Sequence, residues 1–372
     1  MIKVGITGQN GFVGSHLFNT LGLFPDAFEV VPFKREWFEN SLELDQFVSG
    51  CNVIVHLAAL NRHNDPNEIY SKNTGLVENL IGSLDRTGSK PHIIISSSTQ
   101  ESIGNVYGNS KKQAREALAK WAERSGASFT GLIIPNVFGP FGHANYNSFI
   151  ATFCHKIARD DKPAIHVDAE VDLIYVNELV GTILEVVRTK TSSAEFFVPF
   201  TSQAKVSTIL NLLNDFKEKY QDKGEIPFLA SKFELDLFNT YRCYMDIESY
   251  FPRKFTQHID PRGAFVEIIR LGIGGQVSFS TTVPGITRGN HFHTRKIERF
   301  AVIKGKAVIQ LRKIGTSEVF NFELDGAEPA YVDMPVWYTH NIKNVGEEEL
   351  LTIFWINEHY DESDPDTYFE TV

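Results

Sequence analysis

The stretch Ile2-Lys3-Val4-Gly5-Ile6-Thr7-Gly8-Gln9-Asn10-Gly11-Phe12-Val13-Gly14 decides how the first half of the chain folds. An apolar strand runs into three glycines, Gly8, Gly11 and Gly14, and a helix-forming segment follows. Glycines so placed serve a tight turn, a close approach of backbone to a pyrophosphate, and tight packing of the helix, whose first N–H groups then face the phosphates. The spacing predicts a dinucleotide site built from Gly8, Gly11, Phe12, Val13 and Gly14; a bare glycine turn would lack the strand before it and the helix after it. The next strand, Glu29 to Phe33, ends at Lys34-Arg35, where an NAD enzyme usually offers an acid to the ribose 2′-hydroxyl. Two cations there favour the 2′-phosphate of NADP, so NADPH is the expected cofactor; a solvated loop pair is the plainer reading.

Outward from this stretch, short β-branched runs (Asn52 to Val55, His92 to Ile95) alternate with helical ones such as Lys111 to Arg124 as far as about residue 200. That alternation predicts an α/β Rossmann-type domain, a doubly wound parallel sheet with helices on both faces. A helical stretch follows from Ser202 to Tyr241, and the pattern loosens through Tyr250-Phe251-Pro252-Arg253. From Gln257 onward the chain reads as strands (Gln276 to Thr282, Phe300 to Ile303, Ala307 to Leu311, Leu350 to Trp355) separated by Gly, Pro and Asp turns, an all-β jelly-roll pattern. Two domains are expected, residues 1–245 and 246–372.

With 42% hydrophobic and 22% charged residues, both domains can bury ordinary cores. The net charge of −10, uninterrupted by a basic stripe, argues against nucleic acid and for a small-molecule partner. Cys51, Cys154 and Cys243 are odd in number and unpaired in spacing, which fits a reducing compartment. No cleavable apolar leader and no run of membrane-spanning length is visible, so a cytoplasmic protein without membrane association is expected.

Tyr107-Gly108-Asn109-Ser110-Lys111 sets a phenol and an ammonium on one face at a helix start. A nearby ammonium should lower the phenol's pKa, letting it pass a proton to an incipient alkoxide as hydride arrives, while a hydroxyl holds the carbonyl oxygen. Ser98, closing Ser96-Ser97-Ser98 after a strand, is placed to supply that hydroxyl. Together with Gly8, Gly11, Gly14, His56-Leu57-Ala58-Ala59, Asn73 and Pro135-Asn136-Val137-Phe138-Gly139-Pro140, these residues make residues 1–240 resemble the extended short-chain dehydrogenase/reductases that act on nucleotide sugars. The resemblance implies Ser98, Tyr107 and Lys111 as the catalytic set and adds Leu57, Ala58, Asn73, Tyr107 and Lys111 to the cofactor contacts. It breaks at Ile133 and Val171, where such proteins often carry arginines towards the sugar-nucleotide pocket, so the usual diphosphate contacts do not transfer.

In the second half, Gly289-Asn290-His291-Phe292-His293 with Glu298 and Gly305, and Pro335 to His340 with Asn344, fit the two motifs of a cupin. Period two aims His291 and His293 into one interior, which Glu298 and His340 enter from neighbouring strands, making a divalent-metal site. Zn²⁺ is the first choice; Ni, Fe or Mn suit the same donors. Asp260 to Glu267 and Arg288 to Phe292 also resemble the cupin-type deoxysugar 3,5-epimerases, which are metal-free and use the histidine at the place of His291 as a base. A metal-bound His291 cannot be that base; Tyr338 and Lys296 are secondary candidates, otherwise packing and surface.

Over its full length, including Asn145-Tyr146-Asn147-Ser148, Ala151-Thr152-Phe153-Cys154 and the ending Pro365-Asp366-Thr367-Tyr368-Phe369, the chain resembles bifunctional enzymes of capsular-polysaccharide synthesis, a reductase fused to a cupin. The resemblance implies a UDP-linked 2-acetamido-2,6-dideoxy-4-keto sugar, inverted at C3 by the cupin and reduced at C4 with NADPH to UDP-2-acetamido-2,6-dideoxy-L-talose, on the way to UDP-N-acetyl-L-fucosamine, in a homodimer. A reductase or 4-epimerase with a purely structural cupin is the alternative enzyme. A protein that merely binds NADP would not need Ser98, Tyr107 and Lys111 together.

Overall fold

In the computed structural model, which describes residues 1–261 and 263–372, strand β1 (Ile2–Thr7) runs through the glycine turn into helix α1 (Phe12–Gly22). By chain contacts the molecule divides into two units, Met1–Phe149 with Val167–Val206, and Ile150–His166 with Ser207–Val372.

In the first unit β2 (Phe28–Val31), α2 (Ser41–Gly50), β3 (Val53–His56), α3 (Pro66–Thr87), β4 (His92–Ser98), α4 (Val106–Ser125) and β5 (Phe129–Ile134) follow in order. Next come β6 (Asn136–Phe138), α5 (Phe149–Ile157), which leads out of the unit, then β7 (Glu170–Tyr175), α6 (Val176–Thr189), β8 (Ser193–Phe197) and β9 (Ser202–Lys205). Six strands pair in parallel in the order β2-β1-β3-β4-β5-β8, while β6, β7 and β9 form a small separate sheet. Period two sorts the large sheet's side chains onto two cores. Val4, Val55, Ile94 and Leu132 pack with Leu17 of α1 and Ile183 of α6, whereas Ile54, Ile93, Ile95 and Phe129 pack with Val48, Leu84 and Leu118 of α2, α3 and α4. The expected doubly wound sheet is thus present, with helices on both faces.

Local chemistry fixes the helix ends. Asp65 caps α3 ahead of Pro66, and Gly88 ends it in a left-handed conformation; Asn105 accepts from the Gly108 N–H to start α4, and Gly126 ends that helix in the same way.

The second unit is two antiparallel five-stranded sheets. One runs Arg253–Lys254, Ala330–Met334, Glu298–Lys304, Leu350–Ile356, Gln276–Thr282; the other runs Val319–Asp325, Lys306–Lys313, Tyr338–Asn344, Thr287–Phe292, Tyr368–Phe369. Val302, Val332 and Leu350 of the first meet Ile309, Leu311, Phe322 and Ile342 of the second in one apolar core, as a jelly-roll cupin requires. Gln276–Thr282 ends its sheet with Val277 and Phe279 exposed, and Gln257–Asp260 with Gly263–Val266 makes a ribbon whose Ile259 and Phe265 are exposed as well. Arg262, quoted above within the Asp260–Glu267 motif, lies outside the described residues.

Helices α7 (Val206–Phe216) and α8 (Lys232–Arg242) fall almost wholly in this unit, and α8 and the helical turn Lys217–Asp222 after α7 are tied to the β-sheet by buried polar groups. Arg299 and Asp333 form a two-pronged ion pair at 2.7 and 2.9 Å, Tyr220 donates to the same carboxylate at 2.7 Å, and Arg242 donates to Tyr220 Oη at 3.2 Å and to the Met334 carbonyl at 3.0 Å. Among the described residues no helix is long and apolar enough to cross a membrane.

Candidate active site and candidate metal centre

The first unit holds a cavity of about 630 Å³ at the carboxyl ends of β1, β3, β4 and β5, where ligands of doubly wound sheets bind. Gly8, Gly11, Phe12, Val13, Gly14, Leu57, Ala58, Ser98, Tyr107 and Lys111 line it, so ten residues singled out by sequence meet around one space. The glycines are required sterically. Gly8 has φ +79°, and a Cβ there would lie 2.8 Å from the Ala58 N; a Cβ on Gly14 would lie 2.1 Å from the Gly8 carbonyl oxygen.

Ser98 closes β4, and Tyr107 and Lys111 stand one turn apart at the start of α4. Lys111 is buried and donates to Ser96 Oγ at 3.3 Å; burial pushes its pKa down to about 8, against the pull of the Glu101 carboxylate. The expected lowering of the Tyr107 pKa is not found: burial, with the neighbouring Tyr146 phenol adding to it, pushes the phenol up to about 12. A neutral phenol is the proton-bearing form that carbonyl reduction uses.

Below these groups lies a feature that no sequence motif marks. Glu101, in the turn after Ser98, accepts from Arg115 of α4 at 2.9 and 2.7 Å and from Ser97 Oγ, and Arg115 also reaches Glu195 at 3.0 Å. A Cβ on Gly108 would lie 2.1 Å from the Gln100 carbonyl, so turn and helix touch through backbone. The Ser98 turn and the Tyr107–Lys111 helix are therefore one packed piece.

Three predicted cofactor residues stand elsewhere. Asn73 is buried and braces the structure rather than lining the cavity: it bonds both backbone groups of Leu60, at 2.6 and 3.0 Å, and donates to Ser110 Oγ at 2.9 Å. Arg35 lines a second cavity of about 650 Å³ with Gly8, Gly11, Phe33, Phe38, His63 and Lys72, while Lys34 is exposed and lines neither. Sequence reasoning gave no site role to Arg62, His143, Tyr146, Asn147 and Ser148, which also line the first cavity. They lie in irregular loops where no period marks a face. Ile133 is buried in β5, and Arg62 and His143 join Lys111 as cationic or imidazole groups on the lining.

In the second unit His291, His293, Glu298 and His340 place one donor atom each within 4.8 Å of all the others. A β-bulge between Gly289 and His291 sets the strand so that His291 stands opposite His340. Glu298 Oε2 lies 3.2 Å from His293 Nε2, 3.1 Å from His340 Nε2 and 3.9 Å from His291 Nε2. Donors about 2.0–2.2 Å from a tetrahedral Zn²⁺ would be separated by roughly 3.3–3.6 Å, so the set fits a divalent cation. The imidazoles are also oriented for it. His293 Nδ1 bonds the Asp366 carbonyl at 2.6 Å and His340 Nδ1 the Tyr338 carbonyl at 3.3 Å, which turns each Nε2 inward; His340 Nε2 is buried without a hydrogen bond. Burial opposes the charge on Glu298, but the three imidazoles hold its carboxyl well below the usual carboxylate range. Tyr338 is half-buried, with its phenol raised by burial; Lys296 is buried, its Nζ donating to the Pro365 carbonyl at 2.8 Å, so it is a packed group and not a surface one.

Residues 4–197 match the NAD dependent epimerase/dehydratase family, and residues 258–368 match the polysaccharide biosynthesis C-terminal domain. The chain is 35% identical, over 99% of its length and 98% of the relative's, to UDP-2-acetamido-2,6-beta-L-arabino-hexul-4-ose reductase of Pseudomonas aeruginosa. It is similar along 100% of both chains to the crystal structure of the capsular polysaccharide assembling protein CapF from Staphylococcus aureus, with 36% identity and a TM-score of 0.63. RMD from Pseudomonas aeruginosa, solved with NADPH, shares the fold over 59% of this chain and 83% of its own, at 20% identity and a TM-score of 0.53. The chain belongs to the NAD dependent epimerase/dehydratase family and is CapF-like over its whole length, reductase fold first and polysaccharide biosynthesis domain second.

Proposed function

We propose that the protein is a bifunctional nucleotide-sugar enzyme of surface-polysaccharide synthesis, in which the cupin epimerises C3 of a UDP-2-acetamido-2,6-dideoxy-4-keto-hexose and the first unit reduces the C4 ketone. The observation that carries the reading is the meeting of Ser98, Tyr107 and Lys111 with the glycine turn around one cavity. The relative from Pseudomonas aeruginosa, named for a UDP-linked hexul-4-ose, supports the substrate class. Bound NADPH would supply the hydride to C4. Tyr107, neutral at pH 7, gives its proton to O4; Ser98 holds that oxygen; Lys111, still largely charged, favours the phenolate left behind. Arg35, which lines the second cavity with Gly8 and Gly11, would pair with a 2′-phosphate there and so favour NADPH over NADH.

His291, His293, Glu298 and His340 would hold the metal, with Zn²⁺ preferred, and a divalent cation there would act as a Lewis acid beside a ketone whose α-hydrogen at C3 is already acidic. The product is UDP-2-acetamido-2,6-dideoxy-L-talose. A homodimer is supported by the exposed apolar residues on the terminal strand Gln276–Thr282. One observation favours a structural cupin: four protein donors already complete a tetrahedron, the arrangement of structural metal sites. The deciding experiment supplies the UDP-4-keto sugar in deuterated water, first without and then with NADPH. Deuterium at C3 before NADPH is added, and the talose product by mass spectrometry and NMR afterwards, are expected. A reduced product without deuterium at C3 would leave the cupin structural, and no NADPH oxidation would overturn the reductase.

A further inference from the structure

The ending Pro365-Asp366-Thr367-Tyr368-Phe369 has no part in either reaction, yet it lies against the metal-ligand strands. Phe369 and Tyr368 pair with His291 and Phe292, the Glu370 N–H donates to the Asn290 carbonyl at 3.0 Å, and Thr339 Oγ, beside His340, donates to the Glu370 carbonyl. At its centre Asp366 is 2% exposed and adopts φ +41°. Its Oδ1 accepts from the Thr294 N–H at 3.0 Å and Thr294 Oγ1 at 2.7 Å; its Oδ2 accepts from the Arg295 and Lys296 N–H groups, both at 3.0 Å. Its own carbonyl meets His293 Nδ1 at 2.6 Å. One residue thereby holds three consecutive N–H groups of the loop joining His293 to Glu298.

A carbonyl oxygen can only accept, so Nδ1 of His293 carries the hydrogen, and Nε2, 3.2 Å from Glu298 Oε2, is the nitrogen that would offer its lone pair to a bound cation. Backbone strain gathers at the same place. Among the described non-glycine residues of this unit with left-handed backbone, Asn290 adjoins His291, the Trp337 N–H donates to the His293 carbonyl at 2.8 Å, and Asp366 is a third, while Asp160 is distant in sequence. Such conformations persist where surrounding contacts over-determine them.

We propose that Asp366 is a positioning residue of the metal centre: its carboxylate locks the Thr294–Lys296 loop and its carbonyl fixes the tautomer and aim of His293, so the donors stand at metal spacing before an ion arrives. The inference rests on the reading of His291, His293, Glu298 and His340 as a metal centre, and the test separates the two. Zn²⁺ affinity of the full chain is measured by competition with a chromogenic chelator, and Co²⁺ is then substituted to read ligand geometry from its visible absorption. Asp366→Asn keeps the shape but turns an NH₂ towards N–H groups; it is expected to weaken Zn²⁺ binding about 10- to 100-fold, the usual loss for a second layer of partners, and to shift the Co²⁺ bands. Thr294→Val, which removes one bond of the set, is expected to weaken Zn²⁺ binding a few-fold and decides the matter should Asp366→Asn fail to fold. Wild-type affinity with an unchanged Co²⁺ spectrum, even at a lowered melting temperature, would show a merely structural role and overturn the proposal. If the unmodified chain binds neither ion, the metal reading itself falls.

Discussion

Arg35 and Lys34 are neighbours in sequence, but only Arg35 lines the cavity that could take an adenosine ribose. A charge-assisted bond is worth about 1.5–3 kcal/mol, so Arg35→Ala should raise the KM for NADPH roughly 10- to 100-fold and leave that for NADH almost unmoved, while Lys34→Ala changes either little. Initial rates with both cofactors test this; equal use of NADH and NADPH by the unmodified enzyme would refute it. Tyr107→Phe removes the donor but keeps the ring, and should lower turnover by about 10²- to 10⁴-fold with NADPH affinity preserved in a fluorescence titration. More than half of the wild-type rate would assign the proton to another group. Lys111 governs the alkaline side. Its charged form persists below about 8 and is lost above it, whereas Tyr107 keeps its proton to about 12, so turnover should fall as pH rises through about 8 rather than near 10. A flat kcat profile from pH 7 to 10 would remove Lys111 from the chemistry.

The turn between β4 and α4 is where the three side chains proposed for catalysis become one object. Glu101 and Arg115 are almost fully buried there, and removing one partner of such a pair costs about 3–5 kcal/mol because a charge is left without company. Arg115→Met should therefore lower the melting temperature and reduce kcat more than it raises the KM, since Ser98, Tyr107 and Lys111 lose their common footing. Calorimetry together with steady-state kinetics checks both halves, and an unchanged kcat in folded Arg115→Met protein would dissociate the pair from the site. Elements of this kind mark the limit of what the sequence shows. Period two and the glycine spacing revealed β1, β4, α4 and the ligand strands because those signals are local, written within a few residues of each other. Glu101 with Arg115, Asn73 with Leu60 and Asp366 with His293 join residues 13 to 73 positions apart, and no local pattern announces them. The mis-set expectation for Tyr107 has the same origin: a four-residue spacing shows the ammonium, but not the burial that raises the phenol.

The two candidate sites lie in separate units, and under the proposed function they share no chemistry, since exchange at C3 would need no nicotinamide and hydride delivery no metal. With the 4-keto substrate in deuterated water and no NADPH, Tyr107→Phe should label C3 at the wild-type rate, whereas His340→Ala should not. Circular dichroism must accompany the experiment, because a lost metal ligand can loosen the barrel as well. Folded His340→Ala that still exchanges C3 would show the metal to be structural. The network of Tyr220, Arg242, Arg299 and Asp333 bears on how such an enzyme could be assembled from parts. A gene fragment opening at residue 246 would inherit Arg299 and Asp333 without Tyr220 and Arg242. One opening at residue 207 would inherit all four. Recombination that traded this cupin between lineages would thus have to carry residues 207–245 as luggage, making the seam for inheritance fall upstream of the place where the sequence changes character.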